Sequence, residues 1–260
     1  MVRNLENQWA LILGGSAGLG LATAKKLAQS GMNICIIHRD SRTDMPQIEA
    51  DFNQIKGFGV KLLTFNCDAT NAEKRANCLQ TILEELKKER INCMVHSLAK
   101  GTLKGMMGEN SLSNDDFVMT IQAMAISLYD WTKAIFELNL FSQNAGIIAF
   151  TSEGSSKPIP YYGAVSAAKA TLEAISRQIA IEFAPFAIRC NCIQAGVTDT
   201  KSLQMIPNSD KIKAFAAKRN PYKRLTTPED VANVVYLLCQ PEAHWINGSI
   251  IPVDGGEHLQ

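Results

Sequence analysis

Tyr162 and Lys169 stand seven positions apart in Tyr162-Gly-Ala-Val-Ser-Ala-Ala-Lys169, at the start of an alanine-rich, apolar stretch. From Tyr162 to Phe183 the stretch reads as a helix that stops before Pro185. Seven residues at ~100° each return to nearly the same face, with a rise of ~10 Å. A phenol and an ammonium on one face can cooperate. The positive charge favours the phenolate and lowers the phenol pKa from its usual value of about 10. Such a Tyr can donate a proton, or hold a developing oxyanion, near neutral pH. Spacing alone does not separate this pair from two side chains on a solvated flank, so its context has to decide. Tyr161 is the neighbouring phenol, and on a helix it points about 100° away, which leaves Tyr162 better aligned with Lys169.

A second constellation lies near the start of the chain. The apolar run Trp9 to Leu13 stops at Gly14, and Gly14-Gly15-Ser16-Ala17-Gly18-Leu19-Gly20 leads into the helical pattern Leu21 to Gln29. Strand, glycine turn and helix together give a glycine motif meaning. The glycines allow a tight turn and let backbone approach a pyrophosphate, which the helix N-terminus meets with free N–H groups. An ordinary βα turn is the competing reading. The second strand, Asn33 to Ile37, ends at His38-Arg39, without the carboxylate that commonly binds ribose hydroxyls. The guanidinium of Arg39 suits a 2′-phosphate by charge and by its forked geometry, which predicts NADPH over NADH. In the competing reading Arg39 is solvated and Asp40 approaches the ribose.

These residues need a frame of strands and helices. Asp44 and Pro46 open a helix that runs to Lys56, and Val60 to Asn66 is a third strand with Asp68 at its end. Thr70-x-x-Glu73 predicts a capping box for the next helix, whose buried face carries Ala76, Leu79, Ile82, Leu83 and Leu86. Ile91 to Val95 is a fourth strand, running into His96-Ser97-Leu98-Ala99. His96 is read as a polar loop residue without chemistry. Ser113 to Asn139 has helical periodicity, with Ser113 and Asp116 as its capping signal. Ala145 to Thr151 is a fifth strand with Ser152 at its end, and Ile188 to Ile193 is a sixth. Strand character is then lost from Lys201 to Thr226, a connection long enough for a lid or binding loop, with one amphipathic piece from Asp210 to Arg219. Thr227-Pro228 starts a last helix that ends at Cys239, and Ser249 to Val253 is a final strand. Seven strands alternating with helices predict one α/β domain: a Rossmann-type, doubly wound parallel sheet with helices on both faces.

Composition narrows the function. The 260 residues carry a net charge of +1, which argues against a general nucleic-acid binder, and 46% apolar content supports a large core. No apolar run reaches membrane-spanning length, and the polar start lacks a signal-peptide core, so a cytoplasmic protein is expected. The seven Cys include no C-x-x-C, and the four His are scattered, so neither a metal site nor a disulfide framework is expected.

Over nearly its whole length the chain resembles the short-chain dehydrogenase/reductase family. The family pattern T-G-x-x-x-G-x-G meets Leu13, Gly14, Gly18 and Gly20, with Leu for the usual Thr. Asp68 matches the adenine-contacting Asp, Thr200 the Thr that contacts the nicotinamide amide, and Val253 to Gly256 the terminal V-D-G-G. Ser97-Leu98-Ala99 replaces N-A-G, and Ala195-Gly196 replaces P-G. The main family has Tyr-x-x-x-Lys, yet four before Lys169 stands Val165; seven before it stands Tyr162. That spacing, with His96-Ser97-Leu98-Ala99, resembles the divergent enoyl-acyl-carrier-protein reductases. Ser152 stands where many of these have a second Tyr and where the main family has its catalytic Ser. The combination is similar to the NADPH-using enoyl-acyl-carrier-protein reductase III type, and it keeps carbonyl reduction, of a ketone or a 3-oxoacyl thioester, open.

The resemblance implies reduction of a 2-enoyl thioester by NADPH, with Tyr162, Lys169 and Ser152 as catalytic residues. It implies cofactor contacts from Gly14, Ser16, Gly18, Leu19 and Gly20, from Arg39, Asp68 and Ala69, from Ser97, Leu98 and Ala99, and from Lys169, Val197 and Thr200. The substrate loop is expected at about residues 197–226. Its cations Lys201, Lys211, Lys213, Lys218 and Arg219 form a candidate docking patch for an acidic acyl carrier protein. A solvated helix face is the alternative. Assembly as a homotetramer or homodimer is also implied. A third function class, a nucleotide-binding regulatory protein without catalysis, would show NADPH binding and no turnover.

Overall fold

The computed structural model describes residues 4–260. Among these, seven strands form one sheet in the order β3-β2-β1-β4-β5-β6-β7. They are β1 (Trp9–Leu13), β2 (Asn33–His38), β3 (Leu62–Asn66), β4 (Ile91–His96), β5 (Phe141–Ser152), β6 (Arg189–Ala195) and β7 (Ile250–Val253). All neighbouring pairs are parallel. The order reverses between β1 and β4, which opens a crevice at their C-terminal ends.

Helices cover both faces because each strand is apolar on both sides. Along β1, Trp9, Leu11 and Leu13 join one core, and Ala10 and Ile12 join the other. The first core contains Leu79, Ile82 and Leu86 of α3 (Ala72–Leu86), Trp131 of α5 (Ser127–Glu137) and Leu172 of α6 (Gly163–Glu182). The second contains Ala24 and Leu27 of α1 (Gly18–Gln29), Ile48 and Phe52 of α2 (Met45–Lys56), and Val231 and Val235 of α9 (Pro228–Leu238). No helix among the described residues is long and apolar enough to cross a membrane.

Several local expectations are corrected. Thr70 does not cap α3: its hydroxyl donates to Asp68 (2.6 Å), and Asn71 accepts from the Lys74 amide (2.9 Å) to start the helix one residue later. β3 starts at Leu62 rather than Val60, and β5 reaches back to Phe141 across Asn144 in a left-handed conformation, φ 60°. The Ser113 capping box is present and opens α4 (Asn114–Ile121). The predicted continuous helix then widens into a π-helical turn, Gln122–Ile126, before α5. Between β6 and α9 the loop holds α7 (Lys201–Gln204) and α8 (Ser209–Arg219).

Candidate active site

The C-terminal ends of β1, β2, β4, β5 and β6 meet around one cavity of about 640 Å³. Its dinucleotide end is built by the turn after β1. Gly14 has φ 83°, and a Cβ there would lie 2.6 Å from the Ser97 carbonyl oxygen. A Cβ on Gly20 would lie 2.1 Å from the Gly14 oxygen. Backbone packs on backbone here, so only glycine fits. The N-terminus of α1 carries no acidic residue in its first turn and no side-chain cap, which leaves its N–H groups for an anion. These features fit a dinucleotide pyrophosphate.

Gly14, Ser16, Gly18, Leu19, Arg39, Asp68, Ala69, Ser97, Leu98, Ala99, Val197 and Thr200 all line the cavity, together with Ser152, Tyr162 and Lys169. Gly20 is the exception. It lies buried beneath the turn, where it packs against the Gly14 backbone. Thr200 caps α7, accepting from the Leu203 amide at 3.3 Å.

The Asp68 carboxylate accepts from the Thr70 amide (2.9 Å), the Thr70 hydroxyl and Arg39 Nη1 (2.7 Å). The Thr70 hydroxyl bond contributes most to holding its pKa below the usual carboxylate range. Arg39 remains 58% exposed at the cavity wall. Asp40, the acid that could reach a ribose, instead meets His38 Nδ1 at 2.8 Å.

At the reaction end, Tyr162 is the residue that precedes α6, and its hydroxyl lies 3.5 Å from Ser152 Oγ. Tyr161 is 48% exposed and adopts φ 64° in the preceding turn, so a turn rather than a helical angle turns it away. Val165 also lines the cavity, with no proton to offer. Lys169 is buried and donates to the Phe150 carbonyl at 2.6 Å. Burial pulls its pKa down to about 8, opposed by Cys192 and Glu173. The expected lowering of the Tyr162 pKa is not found. Burial raises it, and only the Ser152 hydroxyl opposes the rise.

The sequence reading of His96 as a loop polar residue is also corrected. His96 ends β4, is fully buried and lies 2.8 Å from Ser127 Oγ. Ser127 donates its own proton to the Ala123 carbonyl, so His96 Nε2 carries the hydrogen and Nδ1 is left without a partner. Burial, then the Lys169 charge, pull its pKa down to about 3. An unfolded His protonates near 6.5, so below that pH the unfolded chain binds a proton that the folded chain refuses. Stability therefore falls as pH drops from about 6.5 towards 3. In urea denaturation, His96→Asn should lose less stability than the parent between about pH 7 and pH 4. Equal losses would show that His96 charges freely in the fold.

Sequence reasoning missed one cluster. Arg219 of α8 pairs with Glu153, next to Ser152, and with Glu257 at 2.6 Å. Glu257 also accepts from the Val197 amide at 3.3 Å, which ties the loop to the C-terminus. Only the adjacency of Glu153 to Ser152 signalled it in the sequence. Three of the five candidate docking cations have acidic partners in the fold. Arg219 is engaged inwards, Lys213 pairs with Asp210 (3.0 Å) and Asp199 (3.5 Å), and Lys201 lies 3.8 Å from Asp44.

A family model described as Enoyl-(Acyl carrier protein) reductase matches residues 14–258. The chain is 29% identical over 261 residues to the enoyl-(acyl-carrier-protein) reductase (NADH) FabI of Aquifex aeolicus, covering 98% of this chain and 93% of that protein. It is 25% identical over 252 residues to dehydrogenase/reductase SDR family member 4 of Sus scrofa, covering 97% and 88%. The crystal structure of the A. aeolicus reductase superposes with a TM-score of 0.85 over 98% of both chains, at 29% identity. The Bacillus cereus enoyl-acyl carrier protein reductase, solved with NADP+ and indole naphthyridinone, shares the fold with a TM-score of 0.89 at 24% identity, covering 100% and 99% of the two chains. The match spans the glycine turn, the Tyr–Lys pair and the closing Asp254-Gly255-Gly256, and the chain therefore belongs to the short-chain dehydrogenase/reductase family, in its enoyl-(acyl carrier protein) reductase-like group, as an oxidoreductase for which a nicotinamide dinucleotide is the expected cofactor.

Proposed function

We propose that the protein uses NADPH to reduce the carbon–carbon double bond of a 2-enoyl thioester carried by an acyl carrier protein. One observation carries the reading. The phenol in the cavity belongs to Tyr162, seven before Lys169, while the position four before it presents the apolar Val165. A bound cofactor supplies the hydride that the enoyl β-carbon receives. Negative charge then builds on the thioester oxygen, and Tyr162 donates a hydrogen bond to it. Burial favours the neutral phenol, which keeps Tyr162 a donor near neutral pH. Lys169 spends one N–H on the Phe150 carbonyl, and its remaining donors would hold the ribose hydroxyls of a bound cofactor. Leu103, Met124, Ile159 and Ile206 line the same cavity and suit an acyl chain.

Arg39 supports the choice of NADPH, because the neighbouring acid Asp40 is bound to His38. The A. aeolicus relative is named for NADH, so the cofactor choice rests on this chain's own residues. Arg39→Ser should lower the kcat/KM ratio of NADPH to NADH by about 10-fold or more, as expected for losing a charge-assisted phosphate contact. An unchanged ratio would remove Arg39 from cofactor choice.

A second reading, reduction of a 3-oxoacyl thioester, is favoured by the 3.5 Å between Ser152 Oγ and the Tyr162 hydroxyl. Those two groups could converge on one carbonyl oxygen. Parallel turnover of enoyl and 3-oxo thioesters decides between the two. Lys211 and Lys218 remain exposed on α8 and would steer an acidic carrier. Exposed Val118, Met119 and Tyr129 on α4 and α5 support a homodimer or homotetramer, which light scattering would check.

A further inference from the structure

Cys67 and Cys78 meet at the dinucleotide end of the cavity, and the proposed chemistry uses neither. Cys67 follows β3, and its amide donates to the His38 carbonyl at 2.7 Å. Its side chain lines the cavity next to Asp68. Cys78 lies on the inward face of α3, 6% exposed. The two sulfurs are 3.4 Å apart, and both thiols are free. A disulfide holds its sulfurs at about 2.05 Å, so closing the gap needs a shift of about 1.4 Å.

The two thiols differ in access. Burial, then the hydrogen bond with Cys67, push the Cys78 thiol up to about 12, so it enters the resolving step as a thiol and loses its proton to the departing hydroxide. Cys67 faces the cavity, and a small oxidant entering there meets it first.

We propose that Cys67 and Cys78 form an oxidisable pair, in which a peroxide oxidises Cys67 and Cys78 resolves it to a disulfide. The Cys67 sulfur attacks one peroxide oxygen. An S–O bond forms, the O–O bond breaks, and the first water leaves. The Cys78 sulfur then attacks the Cys67 sulfenic acid. The S–S bond forms, the S–O bond breaks, and the Cys78 proton departs with the hydroxide as a second water. Two thiols lose two electrons, and hydrogen peroxide takes them up.

The new bond falls immediately before Asp68. The segment is braced there by Arg39 on Asp68 at 2.7 Å and by Trp131 Nε1, which donates to the Ala69 carbonyl at 2.9 Å. Drawing Cys67 towards α3 displaces the wall that faces the adenosine half of the cofactor. Oxidation therefore weakens NADPH binding, and bound NADPH shields Cys67. This coupling rests on the cofactor reading above, whereas disulfide formation in the free protein does not.

The test oxidises the full chain with hydrogen peroxide, alkylates the remaining thiols and digests with trypsin. Cys67 falls in peptide 62–74 and Cys78 in peptide 76–87, so their link is a single identifiable species. The expected result is that species, reversed by dithiothreitol. Cys78→Ser should leave Cys67 as a sulfenic acid that dimedone captures, and Cys67→Ser should abolish both products. Saturating NADPH should slow the link, and the oxidised protein should bind NADPH about five-fold more weakly or worse, since linked effects are reciprocal. Cys239, which hydrogen-bonds with Cys93, is an internal comparison. Oxidation at Cys239 with peptides 62–74 and 76–87 still unlinked would overturn the pair. A link that forms equally fast with and without bound NADPH would overturn its coupling to the cofactor. Binding of NADPH to the reduced protein, followed by fluorescence, separates this failure from failure of the cofactor reading.

Discussion

Tyr162→Phe is expected to lower kcat on a 2-enoyl thioester by at least about 100-fold, the usual cost of removing one oxyanion donor. NADPH affinity should stay within about two-fold, well under the tenfold that 1.4 kcal/mol would give. The ring itself is structural. A Cβ on Gly154 would lie 2.6 Å from Tyr162 Cε1, so the ring packs tightly on Gly154 and Phe can keep that packing. Tyr162 precedes α6 without a side-chain cap, so the helix start does not depend on the hydroxyl. Only the hydrogen-bond donor is lost, and its effect belongs in kcat rather than in cofactor binding. Stopped-flow turnover and fluorescence titration measure the two quantities separately. Full turnover in this variant would end the assignment of Tyr162.

Gly20→Ala should abolish useful cofactor binding although Gly20 does not line the cavity. Its new methyl would meet the Gly14 oxygen at 2.1 Å and Ser97 Oγ at 3.1 Å. The first of these is backbone and cannot swing aside, so the β1–α1 turn must move. Overpacking of this kind costs about 1–3 kcal/mol, and the displaced turn is the one that would hold the pyrophosphate. Gly59→Ala separates strain from clash, because Gly59 has φ 77° but a Cβ there would meet nothing within 4 Å. It should cost stability alone and leave NADPH binding unchanged, as read by thermal unfolding with and without NADPH. Normal binding by Gly20→Ala would mean that the turn tolerates the shift.

The strand–turn–helix start was legible because β1 alternates between two cores and glycines mark where its turn closes on Ser97. The seven-residue spacing of Tyr162 and Lys169 was legible as well. Their electrostatics were not, since the Lys169 ammonium is buried and donates to the Phe150 carbonyl, and Tyr162 answers to burial. Local sequence could not show either fact. The π-helical turn at Gln122–Ile126 has ordinary helix-forming residues, and Ser127 with buried His96 marks it only in three dimensions. Long-range pairs were hidden for the same reason: Glu153 with Arg219, and Arg219 with Glu257, join segments far apart in the chain. Which cations of the candidate docking patch are paired was hidden in the same way, since Lys201 meets Asp44 and Arg219 meets Glu257 only in the fold.

The most direct test is NADPH consumption by the purified protein on two matched thioesters, a 2-enoyl and a 3-oxo, each presented on acyl carrier protein and on coenzyme A. The account predicts faster turnover of the 2-enoyl thioester and a lower KM on the carrier. Preference for the 3-oxo substrate would show that Ser152 and Tyr162 act together on a carbonyl, and the central assignment would be wrong.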